Sequence, residues 1–265
     1  MGRLRMLAWA ALAAAIPAAA LAQGFAALVS PPRFELTVKP GERLREVMEI
    51  TNASAQPAKY RLKTADWTLD EDAAVKFDEA LKPGSCRPWV AIESRQISVT
   101  QGGKYRYRFE VAAPADAPAG ECRFAILIEG DEQNVQTPGG PAFPISGRLG
   151  VIVYVTLAGA EPKIEIAGAR VAKVNDEDMP VILVKNSGNA HGRLAGFLSG
   201  TDAAGKKLEF TPATLPILPG ETRAISLVLY KERDEPVKVT YPVTIRGKLE
   251  WGDSKSTPFE QTFVK

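Results

Sequence analysis

The chain has little of what chemistry needs. It contains one histidine and two cysteines in 265 residues. It has no Gly-x-Ser-x-Gly elbow, no Gly-rich phosphate loop ending in Lys-Ser/Thr, and no Cys-x-x-Cys pair. Nucleophilic acyl transfer, nucleotide hydrolysis and a Cys/His metal site therefore have no sequence support. We expect no enzymatic activity, no cofactor and no metal. The lone His191 sits in Asn186-Ser187-Gly188-Asn189-Ala190-His191, a stretch of turn-forming residues. It reads as a strand-end or loop histidine, since a general base needs a nucleophile or carboxylate beside it. The acidic runs Asp70-Glu71-Asp72 and Asp176-Glu177-Asp178 lack the alternating ligands and pivot glycine of a calcium loop. They read as solvated turns.

Charge of one sign is also missing. The formal net charge is +2, and Arg3 and Arg5 account for both positives. Nothing draws the remaining chain toward nucleic acid or acidic lipid. No apolar run of 18 residues follows the first 22 residues. Those 22 have a basic start, an apolar stretch from Met6 to Ala19 and then Ala20-Leu21-Ala22. This is a secretory leader with cleavage after Ala22, which places the mature chain outside the cytoplasm, beyond an ATP supply. In that compartment Cys86 and Cys122 read as a disulfide, worth on the order of 3–4 kcal/mol by loop closure. The alternative is two separate buried thiols packing as small apolar groups.

What the chain has in quantity is period-two alternation punctuated by glycine and proline. Tyr105, Tyr107, Phe109 and Val111 alternate with Arg106, Arg108 and Glu110. Cys122, Phe124, Ile126 and Ile128 repeat the pattern, and Val151 to Val155 is a β-branched run. In the second half, Ile225, Leu227 and Leu229 alternate, as do Val243, Ile245, Leu249 and Trp251. Turns fall at Lys39-Pro40-Gly41, Lys82-Pro83-Gly84, Gln101-Gly102-Gly103 and Leu218-Pro219-Gly220. Trp67, Trp89 and Trp251 read as core or interface aromatics. This predicts an all-β chain of two antiparallel β-sandwich domains, 23–158 and 162–265, with almost no helix. The segment from Gln133 to Gly147 is expected to be a long loop. Sandwiches have edges, and edge amides accept another strand, so binding a polypeptide is the leading function.

The order of motifs resembles the periplasmic pilus-assembly chaperone family. The first domain opens with Leu28-Val29-Ser30-Pro31-Pro32-Arg33-Phe34-Glu35-Leu36, continues through Val47-Met48-Glu49-Ile50-Thr51-Asn52, and closes with Ser146-Gly147-Arg148-Leu149-Gly150-Val151-Ile152-Val153-Tyr154-Val155. The second carries Val184-Lys185-Asn186-Ser187-Gly188-Asn189-Ala190-His191 and Ile217-Leu218-Pro219-Gly220-Glu221. The resemblance implies two immunoglobulin-like domains and an ATP-independent periplasmic chaperone that binds incomplete pilin-like subunits by lending a strand, with an outer-membrane usher as a further partner. It implies that Arg33 and Arg148 anchor the subunit's C-terminal carboxylate. It implies groove contacts by Phe143, Ile145, Leu149, Val151 and Val153. The stretch Pro138-Gly139-Gly140-Pro141-Ala142-Phe143-Pro144-Ile145 departs from the family's alternating bulky residues, and its prolines lack ladder donors. The competing expectation is a structural or adhesive two-domain protein that lends no strand.

Overall fold

The structure, a computed structural model, describes residues 25–136, 140–230, 238–252 and 254–265. The expected leader lies outside the described residues. In chain order the strands of the first half are β1 (Ala27–Ser30), β2 (Arg33–Thr37), β3 (Arg43–Asn52), β4 (Ala58–Leu69), β5 (Val75–Asp78), β6 (Val90–Ile92), β7 (Gln96–Val99), β8 (Lys104–Ala112), β9 (Glu121–Gly130), β10 (Gln133–Gln136), β11 (Ala142–Ile145) and β12 (Arg148–Thr156). The second half holds β13 (Ile164–Val174), β14 (Glu177–Asn186), β15 (Leu198–Thr201), β16 (Lys207–Pro212), β17 (Thr222–Leu229), β18 (Val243–Trp251) and β19 (Lys255–Phe263). A single 3-10 turn at Arg87–Trp89 is the helical content of the described residues.

The first sandwich stacks the sheet β1-β3-β8-β6 on the sheet β2-β12-β9-β4-β5, with β7 also paired to β4. Alternation decides which side chains meet between them. Tyr107, Phe109 and Val111 of β8 are buried, whereas Arg106 and Arg108 are exposed. They face Phe34 and Leu36 of β2, Phe124, Ile126 and Ile128 of β9, and Val151 and Val153 of β12 in one core. One pairing departs from the antiparallel expectation: β2 runs parallel to β12, with Arg33 opposite Ile152 and Glu35 opposite Tyr154. The second sandwich is one curled seven-stranded sheet, β13-β14-β17-β16-β15-β18-β19, closed on its own core around Phe210, Ile225, Ile245 and Phe263. Its end strands β13 and β19 touch.

One expectation needs correction. The segment expected as a loop is partly a hairpin: β10 pairs with β11, with Val135 opposite Phe143 and Asn134 opposite Pro144. Residues 137–139 lie outside the described residues. The two cysteines stand as adjacent buried thiols. Burial pushes the Cys86 thiol up, and its hydrogen bond with Cys122 adds to that. Their adjacency keeps the bridge as a proposal for oxidising conditions. Titration of the unfolded, unreduced protein is expected to find no free thiol, and reduction to cost up to about 3–4 kcal/mol. Two reactive thiols per exported chain would refute it.

β9 explains how the halves meet. Its Ala125 and Leu127 are as buried as its core-facing residues. They lie on the outer face of the sheet with Ala65, Trp67 and Tyr154, and Leu218 of the second sandwich caps them. Trp67 donates from Nε1 to the Phe124 carbonyl at 3.1 Å, and its ring meets Tyr154 edge-on at 5.4 Å. Around this apolar wedge, the Arg223 guanidinium donates to the Asp70 carbonyl at 3.0 Å. The Glu121 amide donates to the Asn189 carbonyl at 2.9 Å. Gly120 has φ +129° and abuts Asn189, so a side chain there is both strained and obstructed. Leu218→Ala is expected to cost about 2–3 kcal/mol and to broaden the interdomain distances seen by X-ray scattering. Unchanged melting and scattering would show that the wedge does not set the arrangement.

A cleft and an open strand edge as the candidate functional site

The site grows from the parallel β2–β12 pair. β2 covers β12 only from Ile152 to Thr156. Over Arg148–Val151, β12 has one ladder partner among the described residues, β9. The other edge of that stretch offers backbone donors and acceptors to a further strand. Immediately before it comes β11, whose Phe143 is 52% exposed. Phe25 packs against Gly147 and Gly130 and meets Tyr60 edge-on at 6.0 Å, closing the end of the core beneath this edge.

Arg33 stands where β2 begins to cover β12. Alternation along β2 buries Phe34 and Leu36 and turns Arg33 and Glu35 outward, onto the face that bears Tyr154. Arg33 Nε lies 2.9 Å from Glu35 Oε1, and both side chains are about half exposed. The second sandwich brings His191 and Arg193 to the same place. His191 stacks on Tyr154 with ring centroids 4.0 Å apart. Its Nδ1 is 2.5 Å from Glu121 Oε2, and its backbone amide donates to Glu121 Oε1 at 3.3 Å. Its Nε2 is 4.0 Å from Glu35 Oε1. Arg193 donates to the Thr214 carbonyl at 2.9 Å and to the Tyr154 hydroxyl at 3.4 Å. Burial pushes the Tyr154 phenol up to about 12. Burial pushes the Arg193 guanidinium below its ordinary value, and the charge of Arg33 acts in the same direction. The result is a polar cluster where the two sandwiches meet, with two guanidinium groups around one tyrosine.

The expected site residues are only partly brought together. Arg148 is not beside Arg33. Arg33 pairs with Ile152, so Arg148 lies four residues further along β12, roughly 13 Å away. Arg148 is also occupied: its Nη2 lies 2.5 Å from Glu129 and 3.4 Å from Glu79, which Lys63 shares. Burial favours the protonated Glu129 carboxyl, but Lys63 and Arg148 outweigh it and hold the group below the usual carboxylate range. Val151 and Val153 are fully buried in the first core, and Leu149 packs against it. Their alternation, opposite Ile126 and Phe124 of β9, points them inward, so they cannot fill a partner's groove in this fold. The side chain of Ile145 lies outside the described residues. His191, Glu121, Arg193 and Tyr154 were not expected at a site. No sequence signal joins Glu121 to a histidine 70 positions downstream. Among the described residues, no group of three or more His, Cys, Asp or Glu could hold a metal, and no helix is long and apolar enough to cross a membrane.

No protein-family model and no curated protein matches the chain. Solved structures do. A chain from a structure of a chaperone–tip adhesin complex of CFA/I fimbriae biogenesis is 12% identical, with 90% of this chain and 98% of that one covered and a TM-score of 0.47. The chaperone DraB of E. coli is 14% identical, with 89% and 99% covered and a TM-score of 0.45. A structure of the CsuC–CsuE chaperone–tip subunit pre-assembly complex of Acinetobacter baumannii gives 13%, 90%, 99% and 0.42. The chain is thus similar in structure to chaperones of fimbria and pilus assembly.

Proposed function

We propose that this protein is an ATP-independent periplasmic chaperone that binds incomplete pilin-like β subunits by strand addition. The observation that carries the reading is the open edge of β12 over Arg148–Val151, next to the exposed Arg33. Main-chain bonds along such an edge supply affinity. The planar, permanently charged guanidinium of Arg33 suits bidentate capture of a subunit's terminal carboxylate. Phe143, exposed on β11, supports the reading as a side chain that would enter the subunit's groove; the proposed second groove residue is Ile145. An outer-membrane usher is the partner that would receive the subunit.

The test is co-purification from periplasm with identification of the bound polypeptide, in wild type and in Phe143→Ser with Ile145→Ser. The reading predicts a bound β subunit that the double variant loses at unchanged melting temperature. A second reading, a structural or adhesive protein that lends no strand, draws on the inward-facing Val151 and Val153. Retention of the client by the double variant, or a stable surface-bound protein with no client, favours that second reading.

A further inference from the structure

One oxygen of Glu35 faces two basic side chains. Its Oε1 is 2.9 Å from Arg33 Nε and 4.0 Å from His191 Nε2. The imidazole is held in place. Glu121, whose side chain is 1% exposed, grips the backbone amide of His191 with Oε1 and ring Nδ1 with Oε2. Tyr154 covers one face of the ring. A carboxylate on Nδ1 makes that nitrogen the protonated one in the neutral ring. Nε2 is then a lone pair facing a carboxylate oxygen, with nothing to donate. A second proton goes to Nε2 and turns the 4.0 Å gap into a donor–acceptor pair. The charged and titratable groups facing the ring are Glu121 from β9, Glu35 and Arg33 from β2, Tyr154 from β12, and Arg193 on its own segment, with Arg123 further out over Trp67.

Resting on the reading of Arg33 as a carboxylate anchor, we propose that Glu35 is its exchangeable partner: a ligand carboxylate arriving at Arg33 releases Glu35 toward His191, so that capture is coupled to fractional proton uptake at Nε2. In the free protein Glu35 neutralises Arg33 and keeps the anchor closed to chance anions. The bound carboxylate adds a negative charge to a cleft that already holds Glu35 and Glu121. Protonation of His191 offsets it and gives the displaced Glu35 a new donor. Histidine is the side chain suited to this, since its charge changes between about pH 5 and 8. Loading is therefore favoured in mild acid, and release as the pH rises.

The experiment uses the mature protein with N-acetyl-trialanine, which ends in a free carboxylate, and its C-terminal amide as control. Affinity is measured from pH 5 to 8, and His191 is titrated by NMR with and without saturating probe. Wild type is expected to bind the acid and not the amide, about tenfold more weakly at pH 8 than at pH 5. The His191 midpoint should rise by about one unit when probe is bound. Glu35→Gln should bind more tightly at pH 8 and lose more than half of that rise. His191→Gln should bind with no pH dependence. Equal wild-type affinity at pH 5 and 8, or a pH dependence that survives in His191→Gln, overturns the proton coupling and leaves the anchor standing. Acid and amide binding alike, or no binding at any pH, overturns the anchor itself and the coupling with it.

Discussion

Arg33→Ala is expected to abolish client accumulation while leaving the fold intact. The two halves of that expectation rest on different magnitudes. Arg33 is about half exposed, and its ion-pair partner among the described residues is Glu35, equally exposed. Surface pairs of this kind contribute about 0–1 kcal/mol, so melting should hardly move. Its contribution to a bound terminal carboxylate is larger. Truncating one partner of a desolvated, hydrogen-bonded charge pair costs on the order of 2–5 kcal/mol, at least about thirtyfold in affinity. Measuring client level in periplasm beside the melting temperature separates the two. Normal client levels with normal melting would count against the chaperone reading as a whole.

Val151→Asp is expected to destroy the first domain. Val151 is fully buried opposite Ile126, inside the core shared by both sheets. An aspartate there has no partner and no water, and the cost is about 4–5 kcal/mol or more. That is comparable with the whole stability of many domains, about 5–15 kcal/mol. Phe143→Asp is the contrast, since Phe143 is largely exposed and its loss should change stability by only about 0.5 kcal/mol. Denaturant unfolding of both variants decides the matter. A stable Val151→Asp protein that fails only in client binding would return Val151 to the groove-contacting set.

The strands themselves were plain in the sequence. Tyr105 to Val111 alternates because one face of β8 meets the core and the other meets water. β9 was legible only by half. Phe124, Ile126 and Ile128 show the alternation, but Ala125 and Leu127 are buried because a second sandwich places Leu218 over them, and local periodicity carries no trace of that. The site was legible to the same degree. Arg33 stands out beside two prolines at the start of a strand, and in the structure it is about half exposed and paired with Glu35. Its supposed partner Arg148 was misplaced because register is set by pairing: β2 aligns Arg33 with Ile152. Leu149, Val151 and Val153 were ambiguous for a physical reason, since the alternation that suits a lent strand also suits a core strand. His191 read as a loop residue because its meaning comes from Glu121, Glu35 and Tyr154, all on other strands.

The central claim is that the client's sheet pairs along the edge of β12 left uncovered among the described residues, so that this protein lends it a strand. Amide hydrogen exchange on the free and client-bound protein measures this directly. The account predicts new protection at the outward-pointing amides within Arg148–Val151 and through β11, with Ile152–Thr156 unchanged because β2 already covers them. A client complex in which Arg148–Val151 exchanges as fast as in the free protein would contradict it.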